Sequence, residues 1–517
     1  MSEPKPSVGA VDGGSHPSTG DRAELRRRWQ ALAVCLLVGF MSLLDVSIVN
    51  VALPSIERGI HASSADLSWV LSGYALTFGL TLIPAGVLGD LWGRRTVFLV
   101  GLCLFTAASA ACGLAPTATV LVLARLVQGA GGGLLGPQIS GLIQQMFTGA
   151  VRARAFGYFG TTVGLATAVG PLAGGLLINA AGEQTGWRWV FFVNLPIGVL
   201  AFALALRLIP RGTGTGIGTG IGIGTGIAGG TGAGAAAAGR PDRRIDWVGV
   251  VLLALGLVAI LLPLVQEQQW HGSAKWLLLP VGALVLAGFV GWERRVAAGG
   301  RRTPLVDLSL FAIRCYTFGV TLGLLYFAGF TTVFFIFTLY LQSGLGYSAL
   351  GAGLAITPFA LGSAVSALVG GRWVATAGRT VILVGLVAVL VGTGLAALAV
   401  QLVPGHGAGW ATAAPLLVAG IGSGLVIAPN QSLALAEVPV ARAGTAGGIL
   451  QTGQRLGSSL GIAVVGAVFF GRLGAGHDWA GAFKLGLLVA LGFEAAALLC
   501  ALADRHLGTR RPPGSGS

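Results

Sequence analysis

Charge is scarce in this chain. Only 10% of its 517 residues are Asp, Glu, Lys or Arg, while 54% are hydrophobic; charged residues make up about 25% of an ordinary soluble domain. So little charge over so much apolar chain excludes a water-soluble fold of this length, because the apolar surface could not be hidden. The mean hydropathy is +0.83. Acid is scarcer than base, 18 residues against 32, which leaves a formal net charge of +14. On a soluble protein that excess would suggest nucleic acid; here no nucleic-acid partner is expected, because the positive charge falls between apolar runs. Cysteine is confined to Cys35, Cys103, Cys112, Cys315 and Cys500, with no CxxC pair, which argues against a disulfide framework and a thiolate metal site. The six histidines form no HExxH pattern, so no metal is expected. Paired carboxylates and a sizeable soluble segment are lacking too. Neither an enzyme nor a receptor is expected, and no cofactor.

What the chain does have is long apolar runs. A membrane-spanning helix needs about 20 mostly apolar residues, and about fourteen such runs lie between 30–53 and 482–503. The reading is an all-α polytopic membrane protein with the lipid bilayer as its solvent. Its expected segments are a cytoplasmic N-terminal tail (1–29), a six-helix half (30–209), a Gly/Thr-rich cytoplasmic linker (210–246) and two inserted transmembrane helices (247–292). A cytoplasmic loop (293–315), a second six-helix half (316–503) and a cytoplasmic tail (504–517) follow. With the N-terminus inside, 25 Lys and Arg fall in cytoplasmic segments, four in outer loops and three within spans. Cytoplasmic loops of membrane proteins carry such an excess, so both termini are expected in the cytoplasm. The first apolar run follows Arg26-Arg27-Arg28 and has no AxA-type site before its end, so it is expected to stay as a span. The 86 glycines suit close helix packing in a bilayer.

An ionisable group at bilayer depth is costly and is a functional candidate by default. Asp45 in the first span and Glu494 in the last are the candidate proton-coupling acids. Arg125 in the fourth span and Arg455 in the thirteenth are the candidate charge partners in the membrane. Asn50, Gln128, Asn430 and Gln451, with Asn194, are polar groups in or near spans and possible substrate-cavity donors.

Several motifs join these residues. The loop after the second span reads GVLGDLWGRRTVF (86–98), in which Gly86 and Gly93 permit a tight turn while Asp90, Arg94 and Arg95 supply a charge cluster able to latch two halves together. Gly371, Gly378 and Arg379 repeat the spacing of Gly86, Gly93 and Arg94 in the second half, but Ala375 stands where Asp90 would be. Arg125, Gln128 and Gly129 form an R-x-x-Q-G pattern, and the fifth span carries Gly170-Pro171 and Gly174-Gly175. Together with LDVSIVNVALP (44–54), WRWVFFVNLPIG (187–198) and TLYLQSGLGYSALGAGL (338–354), these stretches resemble the major facilitator superfamily, specifically its fourteen-span drug:proton antiporters. The resemblance covers nearly all of the chain outside 1–28, 211–240 and the last dozen residues. It implies a major facilitator fold, two six-helix halves plus two inserted helices, working by alternating access. It also implies a bacterial plasma-membrane antiporter that exports small lipophilic or cationic drugs or antibiotics, driven by protons. Residues 86–95 would be its gating loop and Gly170, Pro171, Gly174 and Gly175 its antiporter-type motif. The alternative is a facilitator-fold exporter or importer of one metabolite, peptide-, sugar- or lipid-like.

Overall fold

In hydrocarbon every backbone N–H and C=O must be satisfied within the chain, and an α-helix does this segment by segment. The computed structural model describes residues 19–182, 184–210, 246–266, 270, 272–299, 304–403, 405–476 and 478–509. Among the described residues there is no strand, and 14 helices are long and apolar enough to cross a membrane. The linker expected over 210–246 lies outside the described residues except at its two ends, as do most of the two terminal tails.

The N-terminal half contains α1 (Thr19–Ile60), α2 (Ser64–Trp92), α3 (Arg94–Leu114), α4 (Ala118–Met146) and α5 (Gly149–Ala181). Its sixth span is broken into α6 (Gly186–Phe192) and α7 (Asn194–Leu208). Pro196 lies just after the break and has no N–H to return to the preceding turn. Two inserted helices follow, α8 (Trp247–Val265) and α9 (Leu278–Gly299), which pack on each other. The C-terminal half contains α10 (Arg314–Leu339), α11 (Ala349–Ala377), α12 (Thr380–Leu402), a short α13 (Ala408–Ala411), α14 (Ala413–Ala434), α15 (Ala443–Gly474) and α16 (Trp479–Thr509). The first helix is 42 residues long because its polar, Arg-rich start continues the apolar span without a break. Side-chain caps fix two of the short turns: Ser63 and Asp66 form a reciprocal capping box at the start of α2, and Thr117 caps α4.

Two seams join the halves, α2 against α15 and α5 against α11. Glycine makes both. A Cβ on Gly448 would lie 2.5 Å from the Leu82 carbonyl, and one on Gly371 would lie 2.8 Å from the Ala153 carbonyl. Thr161 Oγ1 also donates across the second seam to the Ala364 carbonyl at 2.9 Å. Within the C-terminal half the same device packs α15 on α10, where a Cβ on Gly461 would sit 2.0 Å from the Ala328 carbonyl. Backbones this close gain dispersion contacts that larger side chains would prevent.

Gly461→Val is therefore expected to lower the thermal unfolding midpoint in detergent, at a cost of about 1–3 kcal/mol for overpacking. Gly175→Ala, where an added Cβ meets nothing within 4 Å, is expected to leave the midpoint unchanged.

Candidate functional site

Asp45 is fully buried in α1, with 0% exposure. Its neighbours supply what water would. Arg125 Nη1 from α4 donates to Oδ2 at 2.7 Å, and Gln128 Nε2, one turn further along α4, donates to Oδ1 at 2.8 Å. Asn194 Nδ2, at the break between α6 and α7, donates to the same Oδ1 at 2.9 Å. Three N–H donors converging on one carboxyl suit its ionised form. The arginine is anchored in turn: its Nε donates to the Val70 carbonyl at 3.1 Å and its Nη1 to Gln128 Oε1 at 2.9 Å. The guanidinium lies 4.1 Å from the centroid of the Tyr74 ring, a cation–π contact strengthened by burial. Ser109 extends the network, accepting from Asn194 at 3.0 Å and donating to the Phe191 carbonyl at 2.9 Å.

The Arg125–Asp45 pair and Gln128 thus form one centre. The R-x-x-Q spacing puts Arg125 and Gln128 on the same helix face. Asn194 joins them because the break before α7 turns its side chain inward. Ser109 is a member that sequence reasoning missed; a lone serine in an apolar span gives no signal.

Glu494 is elsewhere. It lies in α16, buried to 1% exposure, with Oε1 accepting from Thr393 Oγ1 at 3.4 Å and Oε2 unpartnered. The Tyr326 and Ser423 hydroxyls are buried in the same half. Arg455 pairs with neither acid. Its guanidinium lies 4.4 Å from the Phe78 ring centroid, and it has no carboxylate partner among the described residues.

Asp90, at the end of α2, sits on the N-terminus of α15. Its Oδ1 accepts from the Gly444 N–H at 3.1 Å, and its Oδ2 accepts from the Thr445 N–H at 2.8 Å and Oγ1 at 2.9 Å. A carboxylate there satisfies orphan amides and meets the positive end of the helix dipole. Arg94 Nη2 pairs with Asp90 Oδ1 at 3.0 Å, while Arg94 also donates to the Gly141 carbonyl at 2.7 Å and to the Val440 carbonyl. Arg95 donates to the Leu206 carbonyl at 2.6 Å, inside its own half. Gly93 has φ +93°, and a Cβ on Gly86 would lie 2.3 Å from the Gly444 carbonyl. Asp90 and Arg94 therefore tie one half to the other, and Arg95 does not.

The second-half copy is built differently. Arg379 pairs with Asp504 of α16, which Arg314 Nε also approaches at 3.3 Å. The acid absent at position 375 is replaced from another helix, and all three groups belong to the C-terminal half. In α5, Gly170 and Gly174 pack on α1, where their Cβ atoms would meet Ser47 at 2.4 Å and Ile48 at 3.0 Å, while Pro171 faces Gly353 of α11. Gly175 faces open space.

The four expected cavity donors are spent on separate partners. Gln128 serves Asp45. Asn430 is buried and donates to the Gly319 carbonyl at 2.9 Å. Gln451 donates to Ser140 Oγ of α4 at 3.2 Å, a bridge between halves that Gln431 duplicates at 3.0 Å. Asn50 is exposed and donates to the Val46 carbonyl of its own helix.

Two seamed helical bundles with a charge cluster at one end of a seam are a known design. The Major Facilitator Superfamily model matches residues 35–313, 211–462 and 322–516. This chain belongs to the major facilitator superfamily. It is 38% identical over 452 residues to a probable actinorhodin transporter of Streptomyces coelicolor, covering 87% of this chain and 74% of that one. It is 34% identical to a puromycin resistance protein of Streptomyces alboniger, covering 91% and 87%. It is 31% identical to a tetracenomycin C resistance and export protein of Streptomyces glaucescens, covering 95% and 87%. The solved proton:xylose symporter XylE shares the fold, with a TM-score of 0.62 at 14% identity over 93% of this chain and 96% of that one. The chain is thus an integral membrane transporter with antibiotic and multidrug exporters among its relatives.

Asp90→Ala is expected to remove the cap on α15, at a cost of about 0.5–2 kcal/mol, and to loosen the α2–α15 seam. The check is maleimide labelling of a cysteine placed at Gln431 in a cysteine-free background. Labelling should be several-fold faster with Asp90→Ala; an unchanged rate would show that the cap does not hold the seam.

Proposed function

We propose that this transporter is a proton-coupled antiporter that exports small lipophilic drugs or antibiotics from the cytoplasm of a bacterium across its plasma membrane. One observation carries the reading: a carboxylate–guanidinium pair buried at mid-span, at the meeting point of α1, α2, α4 and α7. A proton delivered to Asp45 removes the charge that holds Arg125 and Gln128 in place. The link between α1 and α4 then weakens, and the packing of the N-terminal half shifts. Protonation is in this way coupled to shape.

The Arg-rich ends of the spans are assigned to the cytoplasm on the 25-to-4 distribution of Lys and Arg, with both termini there. The Asp90 cluster and the Arg152 bond to the Ala436 carbonyl, at 3.3 Å, then close the cytoplasmic end. With that end closed, we assign this conformation to the outward-facing state. Proton entry from outside and drug entry from inside alternate across it, with Glu494 as a second acid able to carry a proton. The Gly170-Pro171 step inside α5, packed between α1 and α11, is the place where that helix can bend as the halves rock.

Inverted vesicles carrying the protein are expected to accumulate a lipophilic dye when the lumen, equivalent to the outside, is acid. Protons then leave the lumen as dye enters. Asp45→Asn keeps the side chain's shape and an acceptor but cannot titrate, so the response to the gradient should be lost. Full gradient dependence in Asp45→Asn would remove Asp45 from the coupling. Uptake of one metabolite and of no drug would favour a metabolite carrier instead.

A further inference from the structure

Arg455 is the intramembrane charge that the coupling scheme leaves unused. It lies midway along α15, on the side that meets the other half. One turn before it, Gln451 bonds Ser140 of α4; one turn after it, the Ser458 and Thr331 hydroxyls lie 2.8 Å apart, bonding α15 to α10. Its own guanidinium crosses the seam to the Phe78 face of α2. Below this level the seam is shut by backbone contacts, Gly448 on Leu82 and Gly444 on Gly86. Above it, the close approaches of α15 are to α10, Gly457 on Leu324 and Gly461 on Ala328. Arg455 therefore sits where the sealed part of the α2–α15 seam ends.

The charges around it are unbalanced. Of the two mid-span carboxylates, Asp45 has 0% exposure and both oxygens occupied, and Glu494 has 1% exposure inside the C-terminal half. Neither faces the seam. Arg455 is half-buried and has no hydrogen bond or ion pair among the described residues. A lone guanidinium at bilayer depth, stacked on one aromatic ring, lacks an anion. Phe78 stacks on Tyr74 at 5.9 Å between centroids, so the wall beside it is flat and aromatic.

Building on the export reading, we propose that Arg455 anchors an anionic group, a carboxylate or phenolate, on a planar aromatic substrate. The exported compound is then an aromatic organic acid, and the cationic class expected from sequence is repelled at this site. The guanidinium gives the ligand N–H donors along its edge and a face on which an aromatic plane stacks.

Binding to the purified full chain in detergent needs no proton gradient and tests this separately from coupling. The probes are fluorescein, an aromatic anion, and ethidium, an aromatic cation of similar size, followed by fluorescence polarisation. Fluorescein is expected to bind, to bind at least about tenfold more weakly to Arg455→Gln, and to recover most of its affinity in Arg455→Lys; tenfold corresponds to about 1.4 kcal/mol. Ethidium is expected to bind weakly and to improve in Arg455→Gln. Size-exclusion profiles and unfolding midpoints equal to the unmodified protein's establish that the variants are folded. The proposal is overturned if fluorescein does not bind the unmodified protein, if Arg455→Gln binds it unchanged, or if ethidium binds as tightly. Gradient-driven uptake of ethidium but not fluorescein would leave proton-coupled export standing and remove the anion site. Arg455-dependent fluorescein binding without any gradient response would do the reverse.

Discussion

A carboxylate out of reach of water must be solvated by protein, and the N-terminal half is arranged around that demand at Asp45. Arg125 alone would balance the charge, but it would leave lone pairs on the acid and N–H groups on the base without partners. Gln128, Asn194 and the Val70 carbonyl complete the set. Each comes from a different stretch of chain, so the pair fixes the relative positions of α1, α2, α4 and the α6–α7 break at once. Such a centre is more useful as a specifier of geometry than as a source of stability, since desolvation consumes much of the attraction. Any change in the charge of one member is felt by four elements.

The contacts between halves are of another kind. They run through glycines and Thr161 against backbone carbonyls, through the Gln431 and Gln451 amides on Ser140, and through the Asp90 carboxylate on the α15 amides. Apolar side chains of the two halves also meet at the α2–α15 seam, where Phe78 and Leu82 lie in one cluster with Ile449 and Leu450, while the Asp45 network lies inside one half. The division matches what alternating access demands of a two-bundle transporter.

The fold was legible from sequence because its signals are long. Fourteen apolar runs and a charge count that alternates from loop to loop define an architecture even when single boundaries are uncertain. The Arg125–Asp45 pair was legible too, because ionisable residues are rare at such depth. The R-x-x-Q pattern also placed Gln128 beside Arg125. Contacts between distant positions were harder to read. Nothing in a pattern distinguishes Asn194, drawn into the Asp45 centre by a helix break, from Asn430, spent on the Gly319 carbonyl. Nor could spacing show that Asp504 supplies the acid missing at Ala375, because 129 residues of chain separate the two positions. Arg455 was visible as a charge, but its lack of a carboxylate is a property of its surroundings alone.

The replacement of that acid has a mechanical consequence. Asp90 reaches across to the opposite half, whereas Asp504 binds Arg314 and Arg379 within its own. Of the two copies of the loop motif, only the first therefore fastens one half to the other. Asp504 rivets the near ends of α10, α12 and α16 together, and the α5–α11 seam is held by glycine contacts and the Thr161 bond. An outwardly symmetric pair of bundles is therefore fastened asymmetrically, with its bolt on the α2–α15 edge.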